Sequence, residues 1–162
     1  MILGMTFTQD IARSALVAYI HYFSFMLCFG ALVLERKLLK TYPNREEAIS
    51  LIITDVVYGI AALMLLISGI LRVLYFGQES SFYTHNPIFW IKVTVFIVVG
   101  AISLYPTITY ILWVIPLRKG ELPQVDSKLL SRLALLINIE LIGFASIPLF
   151  ATLMARGVGL KI

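Results

Sequence analysis

The chain has 162 residues, of which 60% are hydrophobic and 14% are charged, and its mean hydropathy is +0.93. A soluble domain averages about 45–50% apolar and about 25% charged residues, so this composition excludes an ordinary soluble enzyme and predicts an integral membrane protein. The net charge of +4 does not indicate nucleic-acid binding, because the basic residues cluster beside apolar runs rather than on one helical face.

Four apolar runs are long enough to span a membrane. They cover about residues 14–34, 48–73, 87–113 and 133–155, and a helix of about 20 residues crosses a hydrocarbon core about 30 Å thick. Strands are not expected, because the runs lack period-2 alternation and an open sheet is unstable in lipid. The sequence therefore predicts an all-α polytopic membrane protein, a four-transmembrane-helix bundle that forms one domain over residues 1–162.

Helix-capping residues mark where the later spans begin. Asn44 precedes the second span and is followed by acidic residues, a pattern that favours a helix N-terminus. Asn86 stands before Pro87, which suits the first position of a helix. Either Asp126 or Ser127 is predicted to cap the fourth helix.

The distribution of Lys and Arg predicts the orientation. The second connection, residues 74–87, contains no Lys or Arg. The first and third connections hold the basic residues Arg36, Lys37, Lys40, Arg45, Arg118, Lys119, Lys128 and Arg132. The positive-inside rule then places these two connections in the cytoplasm or its equivalent, so both termini are predicted to be non-cytoplasmic.

Ionisable residues inside the spans form two layers, a basic outer one and an acidic inner one. An ionised group costs at least about 2.5–3.5 kcal/mol at the centre of a membrane helix, which predicts an inward-facing paired or functional site. The inner layer contains Asp55 and Glu140, interpreted either as a structural pair with a basic partner or as a proton-sharing pair. Glu35 is interpreted as a charge at the inner end of the first helix.

The outer layer contains His21, Arg72 and Lys92. Arg72 and Lys92 are either interfacial anchors or a clamp for an anion. His21 is either an interhelical hydrogen-bonding group or an axial metal ligand, with Met64 at nearly the same depth as a candidate second ligand. We predict that His21, Arg72 and Lys92 converge on one pocket, capped by the loop over residues 76–86.

Three segments carry a resemblance to a known family: ALVAYIHYFSFMLCFGALVLER, GILRVLYFGQ, and YTHNPIFWIK followed by SLYPT. Together they resemble a bacterial family of predicted four-helix membrane proteins of unknown function, found in cyanobacteria and proteobacteria. That family is similar in layout to the HemJ-type protoporphyrinogen oxidases and the copper-resistance D membrane proteins. The resemblance implies a bacterial plasma membrane or a thylakoid, and haem b or a related tetrapyrrole at His21, with Arg72 and Lys92 near its carboxylates.

The functional prediction is a small membrane protein that binds this tetrapyrrole in a redox or porphyrin-handling role. The alternative is a non-catalytic accessory subunit or assembly factor of a larger photosynthetic or respiratory membrane complex. A third interpretation is a small proton-coupled carrier that uses Asp55 and Glu140, which would require a homo-oligomer. The sequence contains no G-x-S-x-G, P-loop, C-x-x-C or H-E-x-x-H motif, so it names no reaction.

Overall fold

The computed structural model describes the backbone of residues 2–39 and 43–159, and the side chains of these ranges from residue 9 onward. All secondary-structure elements of the described chain are helices, without strands, which confirms the predicted all-α class. In chain order the elements are α1 (Ile2–Leu38), α2 (Arg45–Leu71), a π-helical turn (Arg72–Phe76), α3 (Ser80–Thr84), α4 (Pro87–Arg118) and α5 (Ser127–Ala155).

Four helical stretches are long and apolar enough to cross a membrane, as predicted. They are Gln9–Leu38, Arg45–Phe76, Pro87–Arg118 and Ser127–Ala155, each of 29 to 32 residues. At about 1.5 Å per residue such a helix measures about 45 Å, which matches a bilayer including its headgroup regions. The helices therefore extend beyond the predicted apolar runs, because their polar ends continue into the headgroup level.

The predicted helix caps are formed. Asn44 and Glu47 make a capping box: the Glu47 N–H donates to Asn44 Oδ1 at 2.9 Å, and the Asn44 N–H donates to Glu47 Oε2 at 3.0 Å. Asn86 and Asp126 each accept a backbone N–H from the first turn of α4 and α5, at 2.9 and 2.6 Å. Asp126, rather than Ser127, is thus the cap of α5.

The four long helices form a bundle in which each packs against two others. Helix α1 packs on α2 and α5, and α4 packs on α5 and α2, so within the described residues α1 and α4 lie on one diagonal. We call the end with α3 the α3 end. The opposite end, at the connections between α1 and α2 and between α4 and α5, is called the basic-loop end. Lys40, one of its predicted basic residues, lies outside the described residues.

An aromatic layer fills the middle of the bundle, with one ring from each long helix. The ring of Phe144 from α5 lies 5.6 Å from Phe25 of α1, 6.2 Å from Tyr58 of α2 and 6.4 Å from Phe96 of α4, measured between centroids. The tilted and edge-on arrangements are those that aromatic pairs prefer. This layer separates the two ends of the bundle.

The α3 end is closed by a second small core. Tyr83 of α3 packs with Ile88 and Phe89 at the start of α4, and with Met154 near the end of α5. Gly77, which follows the π-helical turn, must be glycine, because a side chain there would collide with the Arg72 carbonyl and the Tyr83 hydroxyl. The segment between the π-helical turn and α4 is therefore folded tightly over this end.

Candidate functional site

His21 links α1 to α2 through its side chain. Its Nδ1 lies 3.2 Å from the Leu65 carbonyl and 3.1 Å from the Ser68 hydroxyl. A carbonyl only accepts, so the ring hydrogen is assigned to Nδ1, and Nε2 makes no hydrogen bond within the described part of the chain. Gly69 makes room for the ring, since a Cβ there would lie 3.2 Å from His21 Cε1. The predicted interhelical hydrogen bond is thus present, and it leaves Nε2 available.

Arg72 and Lys92 are half-buried and lie over aromatic rings. The Arg72 guanidinium carbon is 4.9 Å from the centroid of the Tyr22 ring, and Lys92 Nζ is 5.4 Å from the centroid of Phe89. Such cation–π contacts fix the direction of otherwise flexible side chains. Both cations lie close enough to His21, and to each other, to interact electrostatically. His21, Arg72 and Lys92 therefore lie near one another, and we call them the basic site; their convergence on a single pocket stays a prediction.

The basic site has no acidic partner among the side chains that the structure describes. The one ion pair among the described side chains joins Arg13 to Asp10 at 3.9 Å, and both of these residues are exposed. Two half-buried cations close to each other, Arg72 and Lys92, raise the free energy of the folded state unless an anion from outside the chain neutralises them. The charge of the site therefore favours an anionic ligand.

The π-helical turn begins at Arg72, directly after α2, and places this residue at the α3 end of the bundle. Such turns are uncommon and are frequently found at functional sites. Side chains from outside the turn bind its carbonyls: the Ser14 hydroxyl donates to the Phe76 carbonyl at 2.7 Å, and the Ser80 hydroxyl donates to the Val73 carbonyl at 2.9 Å. The turn is thus held by α1 on one side and by α3 on the other.

A narrow apolar groove runs between α1 and α2 beside the basic site. Its volume is about 160 Å³, and its walls are Val17, Ile20, Met64, Ile67, Ser68 and Leu71. Pockets that enclose a drug-sized ligand are about 300–1,000 Å³, so this groove does not enclose a tetrapyrrole. Apart from Ser68, the side chains that line the groove are apolar. Met64 lines this groove, and its role as a second metal ligand stays a prediction.

Near the basic-loop end, three carboxyl groups from three helices meet a tyrosine from the fourth. Glu35 of α1, Asp55 of α2 and Glu140 of α5 are 1%, 6% and 1% exposed, and Tyr110 of α4 is 0% exposed. Glu35 interacts electrostatically with both other carboxyl groups, and Tyr110 interacts with all three. Asp55 Oδ1 accepts a hydrogen bond from the Thr107 hydroxyl at 2.8 Å. We call Glu35, Asp55, Glu140 and Tyr110 the acidic site.

The interpretation of Glu35 as a terminal charge was wrong. Helix α1 continues to Leu38, so Glu35 lies within it and faces the bundle. It stands seven residues after Cys28 and fourteen after His21, a spacing that keeps all three on one face of a helix. This spacing is the signal in the sequence that identifies Glu35 as an inward-facing residue.

The arginines near the acidic site donate hydrogen bonds to other groups rather than to its carboxyl groups. Arg36 Nε donates to Asn138 Oδ1 at 2.9 Å, and an Arg45 guanidinium nitrogen lies 3.5 Å from the Leu117 carbonyl. A structural pair of Asp55 or Glu140 with Arg36, Lys37 or Arg132 is therefore not formed among the described side chains. That part of the prediction was wrong: Arg36 binds Asn138 instead, and neither Lys37 nor Arg132 forms an ion pair with these carboxyl groups in the described part of the chain.

Several oxygens of the acidic site have no hydrogen-bond partner among the described residues: Glu35 Oε1, Glu140 Oε1 and the Tyr110 hydroxyl. An unpaired buried charge costs several kcal/mol even after relaxation. Glu35 and Glu140, if both were ionised and unpaired, would together offset much of the net stability of a domain, which is about 5–15 kcal/mol. The folded bundle therefore requires protons or another cation at this site.

The two sites lie on the same face of α1. His21 and Glu35 are separated by 14 residues, or about 21 Å along the helix. Between them, Ser24 and Cys28 are fully buried, and the Cys28 thiol lies 4.0 Å from the Tyr58 carbonyl. Phe25 and Phe144 of the aromatic layer lie at this level and separate the polar groups of the two ends.

A family model described as "Predicted membrane protein (DUF2214)" matches residues 13–159. No curated protein matches the chain, and no solved structure does. The likeness to HemJ-type oxidases and copper-resistance D proteins stays a prediction. The match includes all four long helices and both sites, so the chain belongs to this family of predicted membrane proteins.

Proposed function

We propose that the protein binds an anionic amphiphile at the basic site, with the apolar part of the ligand in the groove between α1 and α2. The observation that carries the proposal is the meeting of His21, Arg72 and Lys92 from three elements without an acidic partner among the described side chains. An anion supplied by a ligand would neutralise Arg72 and Lys92 together, and a proton or a metal ion that the ligand carries would satisfy His21 Nε2.

The chemistry of the two cations suits a carboxylate or a phosphate. The guanidinium of Arg72 is planar and presents paired N–H donors that match two oxygens of such a group. Its contact with Tyr22 holds it in place before a ligand arrives, which reduces the entropy lost on binding. Lys92 adds a compact charge from the start of α4.

His21 would contribute orientation and one acceptor. Its Nδ1–H is held by the Leu65 carbonyl and the Ser68 hydroxyl, as is usual for a histidine whose other nitrogen binds a ligand. Nε2 could then accept a proton from the ligand or bind a metal ion that the ligand carries. Haem b or another carboxylate-bearing tetrapyrrole is one such amphiphile, and the size of the groove would leave most of its ring in contact with lipid.

The binding test uses purified full-length protein in nanodiscs of neutral lipid. Two probes distinguish the source of the anion: haem b, followed by its absorption, and phosphatidylglycerol, followed by native mass spectrometry. Replacing Arg72 and Lys92 together by Gln should weaken binding by about tenfold or more, because charged hydrogen bonds contribute about 1.5–3 kcal/mol each. His21→Ala should remove a haem spectrum if haem is the ligand.

The matched control changes the same amount of charge at the opposite end. Arg118 and Lys119 lie at the exposed end of α4, so their double replacement by Gln should leave binding unchanged. Equal loss in both double variants, or binding of neither probe to the native protein, would contradict the proposal. A role as an accessory subunit of a photosynthetic or respiratory complex would then be the better hypothesis.

A further inference from the structure

We propose that the acidic site is a buried proton-binding site, in which Glu35, Asp55 and Glu140 share protons with one another and with the Tyr110 hydroxyl. The inference is independent of the ligand at the basic site. It concerns the opposite half of the bundle and different residues.

The first argument is the position of the Tyr110 hydroxyl. Tyr110 is fully buried, its hydroxyl has no hydrogen-bond partner in the described part of the chain, and it interacts electrostatically with all three carboxyl groups. A tyrosine hydroxyl both donates and accepts, so it is suited to a network in which hydrogens are exchanged. Its burial close to three carboxyl groups therefore indicates more than filling of the core.

The second argument concerns the charges that face the site. The titratable groups there are Glu35 from α1, Asp55 and Tyr58 from α2, Tyr110 from α4 and Glu140 from α5. Tyr58 is included because it interacts electrostatically with Glu140. The neighbouring guanidinium groups are engaged with Asn138 and with the Leu117 carbonyl. No cationic side chain of the described chain forms an ion pair there, so neutralisation must come from outside.

Protons fit this site better than a metal ion does. In the part of the chain that the structure describes, no three His, Cys, Asp or Glu side chains are arranged to hold a metal ion. Protonation instead turns a carboxylate, which only accepts, into a group that donates one hydrogen bond and accepts others. Protonation of Glu35 or Glu140 therefore removes the buried charge and supplies a hydrogen-bond donor, which an ionised carboxylate lacks.

The path of proton exchange follows from depth. Glu35 lies in the last turn of α1, about 5 Å from its end at Leu38, whereas Glu140 lies 13 residues, or about 20 Å, from the start of α5. The acidic site thus extends from the basic-loop end toward the aromatic layer. Phe144 and its neighbours separate it from the α3 end. Protons should therefore exchange with the basic-loop end alone.

Infrared spectroscopy of the native protein tests the proposal without any variant. At pH 7 the spectrum should contain the C=O stretching band of a protonated carboxylic acid, and this band should shift in D₂O. Absence of the band at pH 7 would overturn the proposal. A rise in melting temperature with added Na⁺ at constant ionic strength would also overturn it, because the site would then hold a metal cation.

Variants then assign the band to the site. Glu35→Gln and Glu140→Gln should each reduce it by roughly a third to a half, because coupled carboxyl groups share protons. Glu121→Gln is the control, since this glutamate is exposed at the same end of the bundle. An unchanged band in both site variants, or an equal reduction in Glu121→Gln, would contradict the assignment.

Discussion

The basic site and the acidic site both place ionisable side chains inside the membrane, but they differ in how a charge there could be stabilised. The cations of the basic site are half-buried, near the α3 end, and each lies over a ring: Arg72 over Tyr22 and Lys92 over Phe89. Long side chains of this kind can extend toward the headgroup level while their stems stay in apolar surroundings. Arg72 and Lys92 can therefore remain charged when no anion is bound.

The carboxyl groups of the acidic site cannot extend toward the headgroup level in this way. Carboxyl side chains are short, and Glu35, Asp55 and Glu140 are almost completely covered by the bundle. They do not extend to water, and the described guanidinium groups nearby bind other partners. Neutralisation must therefore occur within the bundle. The comparison teaches that, in this fold, the length of the side chain decides whether an intramembrane ionisable group can extend toward the headgroups or stays enclosed by the bundle.

The largest expected effect concerns the sidedness of the two ends. In a Cys28→Ala background, single cysteines replace Ser80, beside α3, and Gln124, in the connection before α5; both positions are exposed. The basic residues predict that the α3 end is non-cytoplasmic. An impermeant thiol reagent added outside spheroplasts should label position 80 and leave position 124 unlabelled. Equal labelling of both would refute the predicted orientation.

Removing the ring that separates the two sites should have the largest effect on stability. Phe144 is buried and contacts rings from all three other long helices. Phe144→Ala should lower the free energy of unfolding by about 3–5 kcal/mol, because it creates a cavity in the core. Unfolding by a denaturing detergent, followed by circular dichroism, measures this loss. Ile142→Ala is the control on the same helix, since Ile142 is 72% exposed and faces lipid; similar losses would contradict the packing.

A methyl group at residue 69 should disturb the basic site specifically. The Cβ of Gly69→Ala would lie 3.2 Å from His21 Cε1, and such overpacking typically costs about 1–3 kcal/mol. Gly59→Ala, on the same helix, meets nothing within 4 Å and should stabilise α2 by about 0.5–1 kcal/mol. Nitrogen NMR of the His21 ring should change in the first variant alone. Identical spectra in the two variants would show that the ring does not pack against residue 69.

The smallest expected effect is the replacement of a buried carboxyl by its neutral analogue. If Glu140 carries a proton, Glu140→Gln preserves its shape and neutrality and should change the free energy of unfolding at pH 7 by less than about 1 kcal/mol. Glu140→Ala should cost more, because it leaves a cavity beside Tyr110. A loss of about 3–5 kcal/mol in the Gln variant would instead indicate an ionised carboxylate with a cationic partner.

The helices and their caps could be predicted because they depend on local chemistry. Asn44, Asn86 and Asp126 each bind the first turn of the helix that follows them, and the apolar runs are too long for anything but a membrane span. The grouping of His21, Arg72 and Lys92 could be predicted from depth, since all three lie near the same end of their helices.

The faces of the helices could not be predicted, because lipid and protein core select the same residues. Ile137 is fully buried in α5, whereas Ile142 on the same helix is exposed to lipid, and nothing in the residue type distinguishes them. Glu35 was misinterpreted for a related reason: the apolar run ends beside it, although the helix continues. The acidic site depends on where four helices face one another, which is information that a single sequence does not provide.

The central claim is that the basic site is completed by an anion from outside the chain. Native mass spectrometry of the protein, extracted from its own membrane in parallel with the double Arg72→Gln, Lys92→Gln variant, tests it most directly. The native protein should retain an anionic amphiphile that the variant loses, while the control double replacement of Arg118 and Lys119 by Gln retains it. Retention of the same molecule by all three proteins, or by none of them, would contradict the account.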